Sequence, residues 1–364
     1  MLRINSRIQR QTKLSYATEG DIYEAYTLDC GEGINTMLQS ERVRKTMRTF
    51  TEDMVRAYPH GTELKERICA LWKENAAIQR EQVLLTDGSM SALYLINRLF
   101  LEPSDRALGY CPQFAEYGTD VRTYCTFDTV RLREERNYQF DANEFCAALR
   151  SAHKLVYIDN PNNPTGQIIP LSDIKMIVER AHAQDTVVVV DEAYGEYMEP
   201  AQSAVNLMDM YNNLIVVRSF SKGYGLAGLR AGYMLMPEAL SAPVSKIANP
   251  YAMGTLARKL ACACLDDAAF LKELRTRTAT MKKQMLQLPL ENITFAHTAQ
   301  SVSISMLRHA DYALDLAAAF ADAGILVVPG VSFQELRRNS VRLRLPAEEN
   351  FPRLMESILA IDKL

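Results

Sequence analysis

The chain has 364 residues, a length suited to one large domain plus a smaller one. Its 41 Lys and Arg against 44 Asp and Glu leave a formal net charge of -3, so no global field draws it to nucleic acid or an anionic membrane, and small molecules are the expected partners. Hydrophobic residues at 48% supply a core, yet no run approaches the roughly 18 apolar residues of a membrane-spanning helix. The seven cysteines are scattered and lack a paired C-x-x-C spacing. Free thiols in a reducing cytoplasm are expected, with no metal site. The start of the chain is basic through Arg3, Arg7, Arg10 and Lys13, without the apolar stretch of a secretory signal.

In chain order, a short strand at residues 83–85 leads into Thr86-Asp87-Gly88-Ser89-Met90-Ser91 and then an apolar helix through Leu93 and Ile96. Residues 155–158, 186–190 and 214–217 are brief apolar runs rich in β-branched residues, as expected of strands buried on both faces. A polar motif follows each at once: Asn160 to Gly166, Asp191-Glu192 and Arg218 to Lys222. Between the first two lies a helix over 171–184, with Ser172 as its candidate cap and Ile174, Ile177, Val178 and Ala181 as its apolar stripe. This alternation predicts an α/β fold with a mostly parallel sheet, and ligands bind such sheets in the crevice outside the carboxyl ends of the strands. Three motifs at three strand ends therefore converge. Beyond Pro237 to Pro250 the pattern changes to a helical region over 252–286, strands at 301–306, 325–328 and 341–345, and a terminal helix over 348–364. The expected organisation is a large domain over 45–245 and a small α+β domain built from 1–44 and 246–364.

Lys222 is the centre of the chemical reading. An amine attacks an aldehyde only when uncharged, and a lysine near cationic groups or out of water gives up its proton more readily. Ser219 and Ser221 flank it with hydroxyl donors, Gly223, Gly225 and Gly228 let the backbone approach a ligand, and Arg230 can grip a phosphate as a bidentate fork. Taken alone, the segment is equally a flexible Gly/Ser turn with a surface arginine. Together its residues suggest a Schiff base between Lys222 and a phosphorylated aldehyde.

The segment Ser221-Lys222 with Arg230, preceded in order by Asn163-Pro164-Thr165-Gly166 and Asp191-x-x-Tyr194, resembles the lysine region of fold-type I pyridoxal-phosphate enzymes. Within them it is similar to the class I/II aminotransferases, in the histidinol-phosphate aminotransferase-like and threonine-phosphate decarboxylase-like branch. The resemblance covers nearly the whole chain and implies pyridoxal 5'-phosphate as cofactor. It implies that Asp191 pairs with the pyridine nitrogen, keeping the ring cationic, and that Tyr194 and Asn163 hydrogen-bond the phenolic oxygen. Gly88, Ser89 and Met90 correspond to the phosphate loop at a helix N-terminus, and Phe114 to the aromatic that stacks on the ring. Tyr58 corresponds to a tyrosine that reaches a neighbouring subunit's phosphate, which implies a homodimer with shared active sites.

The same resemblance gives Arg342 the substrate α-carboxylate, with Arg344 as the fallback on the same strand, and places Gly33 and Asn163 at the substrate. The expected activity is transfer of an α-amino group between an amino acid or amino phosphate and a 2-oxo acid. The alternative is a lyase, such as a decarboxylase of a phosphorylated amino acid or an elimination or cyclisation enzyme. Two departures leave the substrate open: Asp29 to Thr36 lacks the proline of the histidinol-phosphate pattern, and Phe114-Ala115-Glu116-Tyr117 is closer to the decarboxylases. Glu32, Asn35, Tyr16, Tyr23 and Arg337 are all open candidates for the side-chain pocket. A transcription regulator is not expected, because the roughly 45 residues before the large domain leave no room for a winged helix and linker.

Overall fold

The computed structural model describes residues 5–10 and 26–364; Tyr16 and Tyr23 lie outside the described residues. A seven-stranded sheet runs in the order Val83–Thr86, Gly232–Leu235, Leu214–Ser219, Val187–Glu192, His153–Asp159, Arg106–Cys111, Thr126–Arg131. Gly232–Leu235 alone runs opposite to the other six strands. The expected mostly parallel α/β sheet is thus present, with two further parallel strands at one edge.

Period-two alternation explains why these strands read as continuous apolar runs. Val156, Ile158, Val188, Val190, Leu214 and Val216 enter one buried cluster, while Leu155, Tyr157, Val189, Ile215 and Val217 enter the cluster on the other face. Helices cover both. The crossover helix is Leu171–His182, and it buries Ile174, Ile177, Val178 and Ala181 as its stripe requires. Pro170, not Ser172, stands at its N-cap; Ser172 sits in the first turn with its hydroxyl 3.4 Å from Asp173 Oδ1. A helix cannot be capped from inside its own first turn.

A second, antiparallel sheet of order Val328–Pro329, Ser340–Arg344, Ile304–His309, Ile293–Phe295 carries its own core with Phe351–Ile361 packed on it. The expected strand at 325–328 divides, because Ile325–Leu326 instead pairs in parallel with Leu28–Asp29. The helical region expected over 252–286 is two helices, Thr255–Leu265 and Ala268–Leu286. Asp266 and Asp267 separate them, and Asp267 accepts a 2.6 Å bond from Ser40 Oγ. Thr255–Leu265 packs in the larger cluster, as do Phe270 and Leu274, whereas Met281 and Met285 enter the smaller one. One helix therefore spans both cores. Among the described residues no helix is long and apolar enough to cross a membrane.

Candidate active site

At the carboxyl ends of the parallel strands, Ser89, Met90, Phe114, Asn163, Asp191, Tyr194, Ser219, Ser221, Lys222 and Arg230 line one cavity of about 320 Å3. Register explains the convergence: Asp159 pairs with Asp191, Glu192 with Arg218, and Gly232 lies opposite both Thr86 and Ser219. Each polar motif thus starts at the same height on the sheet.

Asp191 is buried at the floor. Its Oδ2 accepts a 2.7 Å bond from the Tyr117 hydroxyl and its Oδ1 a 2.9 Å bond from Ala193 N. Burial pushes its carboxyl up to about 7, the Tyr117 bond opposes that, and neighbouring Asp159 adds to it. Tyr117 is held in turn: its ring stacks on Tyr157 at 5.0 Å, and the Tyr157 hydroxyl donates to Asn97 Oδ1 at 2.5 Å. Asp159, also buried, fixes the neighbouring turn by accepting from Asn163 N at 2.9 Å and from the Tyr110 hydroxyl at 2.5 Å. Phe114 meets Tyr117 edge-on, ring centres 5.4 Å apart, and forms one wall.

The lysine loop is pinned by buried Phe220, whose N–H donates to Ala231 O while its carbonyl accepts from Leu226 N. Lys222 is half-buried, its Nζ 5.5 Å from the centre of the Tyr194 ring. The loop is also clamped from the N-terminal segment: Asn35 N donates to Lys222 O at 3.1 Å and Asn35 Nδ2 to Gly223 O at 2.9 Å. Asn35 is therefore occupied in holding the loop. The Tyr194 hydroxyl is buried without a hydrogen-bond partner among the described residues. It lies against Gly33, where an added Cβ would come within 1.8 Å of it, so only glycine fits.

At the opposite end, Gly88 takes a φ of +97° at the N-cap of Ser89–Phe100, leaving the first N–H groups of that helix turned toward the cavity. A Cβ on Gly88 would meet Arg230 Nη2 at 2.7 Å. Backbone donors and a guanidinium thus face one spot, the arrangement an anion needs.

Arg342 is 1% exposed on the strand Ser340–Arg344 and donates from Nη1 to Asn163 Oδ1 at 3.1 Å and from Nη2 to Gly31 O. It bridges the two sheets beside the cavity. Arg344, the fallback, is committed elsewhere: it bonds Glu32 O, Thr36 Oγ1 and Asp29 O and pairs with the Asp29 carboxylate at 3.4 Å. Arg337 lies over the Tyr312 ring, 4.9 Å from its centre, in a separate surface contact. Tyr58 is 69% exposed and lines a different groove with Val55, Leu229 and Gly254. Tyr117 and Asp159 were not singled out from sequence, although the i, i+3 spacing of Phe114 and Tyr117 on a helical turn carries a signal for the first.

The family model for class I and II aminotransferases matches residues 27–358. A histidinol-phosphate aminotransferase of Halorubrum lacusprofundi is 32% identical over 284 residues, 77% of this chain and 75% of that protein. Among solved structures, an aspartate aminotransferase of Thermus thermophilus with maleate superposes with a TM-score of 0.80 at 19% identity, covering 99% of this chain and all of that one. An L-threonine-O-3-phosphate decarboxylase of Porphyromonas gingivalis gives 0.74 at 20% identity over 93% of this chain and all of that one. With the strand-end cavity, the buried acid and the half-buried lysine in place, the chain belongs to the class I and II aminotransferases, fold-type I enzymes that depend on pyridoxal 5'-phosphate.

Proposed function

We propose that this enzyme transfers an amino group from an amino acid or amino phosphate to a 2-oxo acid, with Lys222 as the residue that holds the cofactor and moves the proton. The observation that carries this reading is the convergence of Lys222, Asp191, Tyr194 and Asn163 on one cavity, with Arg342 bonded to Asn163 beside it. The residues fit the cofactor. The unpartnered Tyr194 hydroxyl suits its phenolic oxygen, buried Asp191 its ring nitrogen, and the Gly88, Ser89, Ser219, Ser221 and Arg230 end its phosphate. When bound, pyridoxal 5'-phosphate supplies a sink for the electrons released at the substrate Cα.

The protein's own groups do the rest. Asp191, oriented by Tyr117 and Ala193, keeps a proton on the ring nitrogen. Arg342 orients the carboxylate of the 2-oxo acid as a bidentate pair. Lys222 Nζ takes the proton from the substrate Cα and returns it two atoms away, on the far side of the amino nitrogen, which makes the outcome transfer rather than loss of a carboxylate. Relatives named as aminotransferases favour that outcome over the lyase alternative.

Histidinol phosphate is the first donor to assay, because the relatives' names point there, within a panel of amino acids and amino phosphates tried against a set of 2-oxo acids. The expected result is ping-pong kinetics with at least one donor; carbon dioxide release without any 2-oxo acid would contradict the reading. Arg342→Lys is expected to raise KM for the 2-oxo acid by about ten- to a hundredfold with a smaller change in kcat, since lysine cannot make the planar fork.

The reading extends to a homodimer in the cytoplasm. All seven cysteines are free thiols. Val55 and Tyr58 stand exposed in the groove beside the Gly228-Leu229 turn that precedes Arg230, with exposed Tyr251 packed against the Tyr58 ring, a face suited to a second copy whose Tyr58 would reach the phosphate end. Sedimentation of the holoenzyme is expected to give a dimer at micromolar concentration; a monomer with full activity would rule out a shared site.

A further inference from the structure

On the side of the sheet facing away from Asp191 and Ser219, a guanidinium and two carboxylates are buried together. Arg218 Nη1 lies 2.6 Å from Glu192 Oε2 and its Nη2 lies 3.1 Å from Glu196 Oε1, with side-chain exposures of 6%, 0% and 2% for Arg218, Glu192 and Glu196. The guanidinium stacks on Trp72, 5.1 Å from the ring centre. Glu192 also accepts from Ser203 Oγ and Ala204 N, both at 2.7 Å. None of the three lines the cavity.

Stability does not explain such a group. Taking three charges out of water costs several kcal/mol per ion, and well-packed apolar residues of similar volume are often as stable or more so. Position does explain it. Glu192 follows Asp191, Arg218 precedes Ser219, and Glu196 stands two residues after Tyr194 on the turn Gly195–Tyr197. The fourth contact is Gly223, next to Lys222: a Cβ there would lie 2.4 Å from Glu196 Cβ, so the Glu196 stem is the floor under the lysine loop.

We propose that Glu192, Arg218 and Glu196 are positioning residues for the amino-transfer reaction, tying the strand ends and turns that carry Asp191, Ser219, Tyr194 and Lys222 into one rigid register. This rests on the roles given to those four residues above. Glu196 sets the height of the lysine loop, Arg218 joins it to the strand of Ser219, and Glu192 joins both to the strand of Asp191. The donor and acceptor bind at Arg342 and Asn163, away from this platform, so its loss acts on turnover rather than on affinity.

The test compares Glu196→Ala, Glu196→Gln and Gly223→Ala with the wild-type holoenzyme, each corrected for its content of lysine-bound cofactor. Glu196→Ala is expected to lower kcat by about ten- to a hundredfold with KM within about threefold, and to move the pH midpoint of the bound-cofactor absorbance. Glu196→Gln keeps the shape and an acceptor for Arg218, and is expected to recover kcat to within about threefold. Gly223→Ala strikes the same contact from the other side and decides the matter should Glu196→Ala not fold. Wild-type kcat and an unmoved absorbance midpoint in Glu196→Ala, or in Gly223→Ala, would overturn the proposal. So would losses that vanish after correction for bound cofactor. Borohydride reduction of the wild type separates the two levels: cofactor mass on a peptide without Lys222 removes the site assignment itself, whatever the platform variants do.

Discussion

Alanine in place of Lys222 is expected to lower turnover by about ten-thousandfold or more. A positioned general base alone contributes roughly 10²- to 10⁴-fold, and this lysine also holds the cofactor. The fold should survive, because the loop is clamped through backbone atoms that alanine retains: Asn35 N to Lys222 O and Asn35 Nδ2 to Gly223 O. Lys222→Arg separates charge from proton transfer. Arginine keeps the cation but stays protonated at any working pH, so it is expected to be as inactive as alanine. Steady-state and single-turnover rates on both variants, beside a thermal melt, check this. An arginine variant with more than about a tenth of wild-type turnover would show that Lys222 serves as a cation and not as a base.

Replacing Asp191 by alanine is the second large effect, a loss of about a thousandfold in kcat. It removes a preorganised buried charge worth roughly 4 kcal/mol at the place where electron density must be drawn. Tyr117→Phe leaves the carboxylate but deletes its 2.7 Å donor, and a hydrogen bond to a charged group is worth about 1.5–3 kcal/mol, or roughly ten- to a hundredfold. The same acid gives a stability signature. Its carboxyl is pushed from 3.8 to about 7 by burial in the folded protein, so without cofactor the folded state keeps a proton that the unfolded chain releases. Below about pH 4 both states are protonated and the group costs nothing. As pH rises from about 4 to 7 the unfolded state gains, and the apoprotein loses up to a few kcal/mol of stability from this residue. Urea unfolding of the apoprotein at pH 5 and pH 7.5 is expected to show this decline, and Asp191→Asn to flatten it. An equal slope in both proteins would refute the raised value.

Much of this was legible in the sequence because the site is built where strands end. A β-branched apolar run stops at a polar motif, and each polar motif contributes to the lining of the cavity: Asn160 to Gly166, Asp191-Glu192 and Arg218 to Lys222 all announced themselves in this way. What the sequence concealed depends on partners far along the chain. Arg342 and Arg344 are alike by strand periodicity, and only the return of residues 29–36 tells them apart: it engages Arg344 through Asp29, Glu32 and Thr36, whereas Arg342 meets it at Gly31 O and also reaches Asn163. Tyr117 sits inside a helix whose apolar face accounts for it until Asp191 is seen 2.7 Å away. Arg218 reads as the polar residue that closes a strand, whereas it pairs within the core with two glutamates that belong to another strand and the turn beyond it. The strand Arg106–Cys111 and the edge strand beside it, Thr126–Arg131, are interrupted by polar and small residues, so no apolar run marked them.

Borohydride reduction shows directly whether Lys222 carries the cofactor. The holoenzyme is treated with borohydride, digested and read by mass spectrometry. The account predicts one modified peptide containing Lys222, heavier by the reduced cofactor, and loss of that modification when the amino donor is added before the reductant. A modified peptide built on any other lysine, or an unmodified chain with full activity, would contradict it.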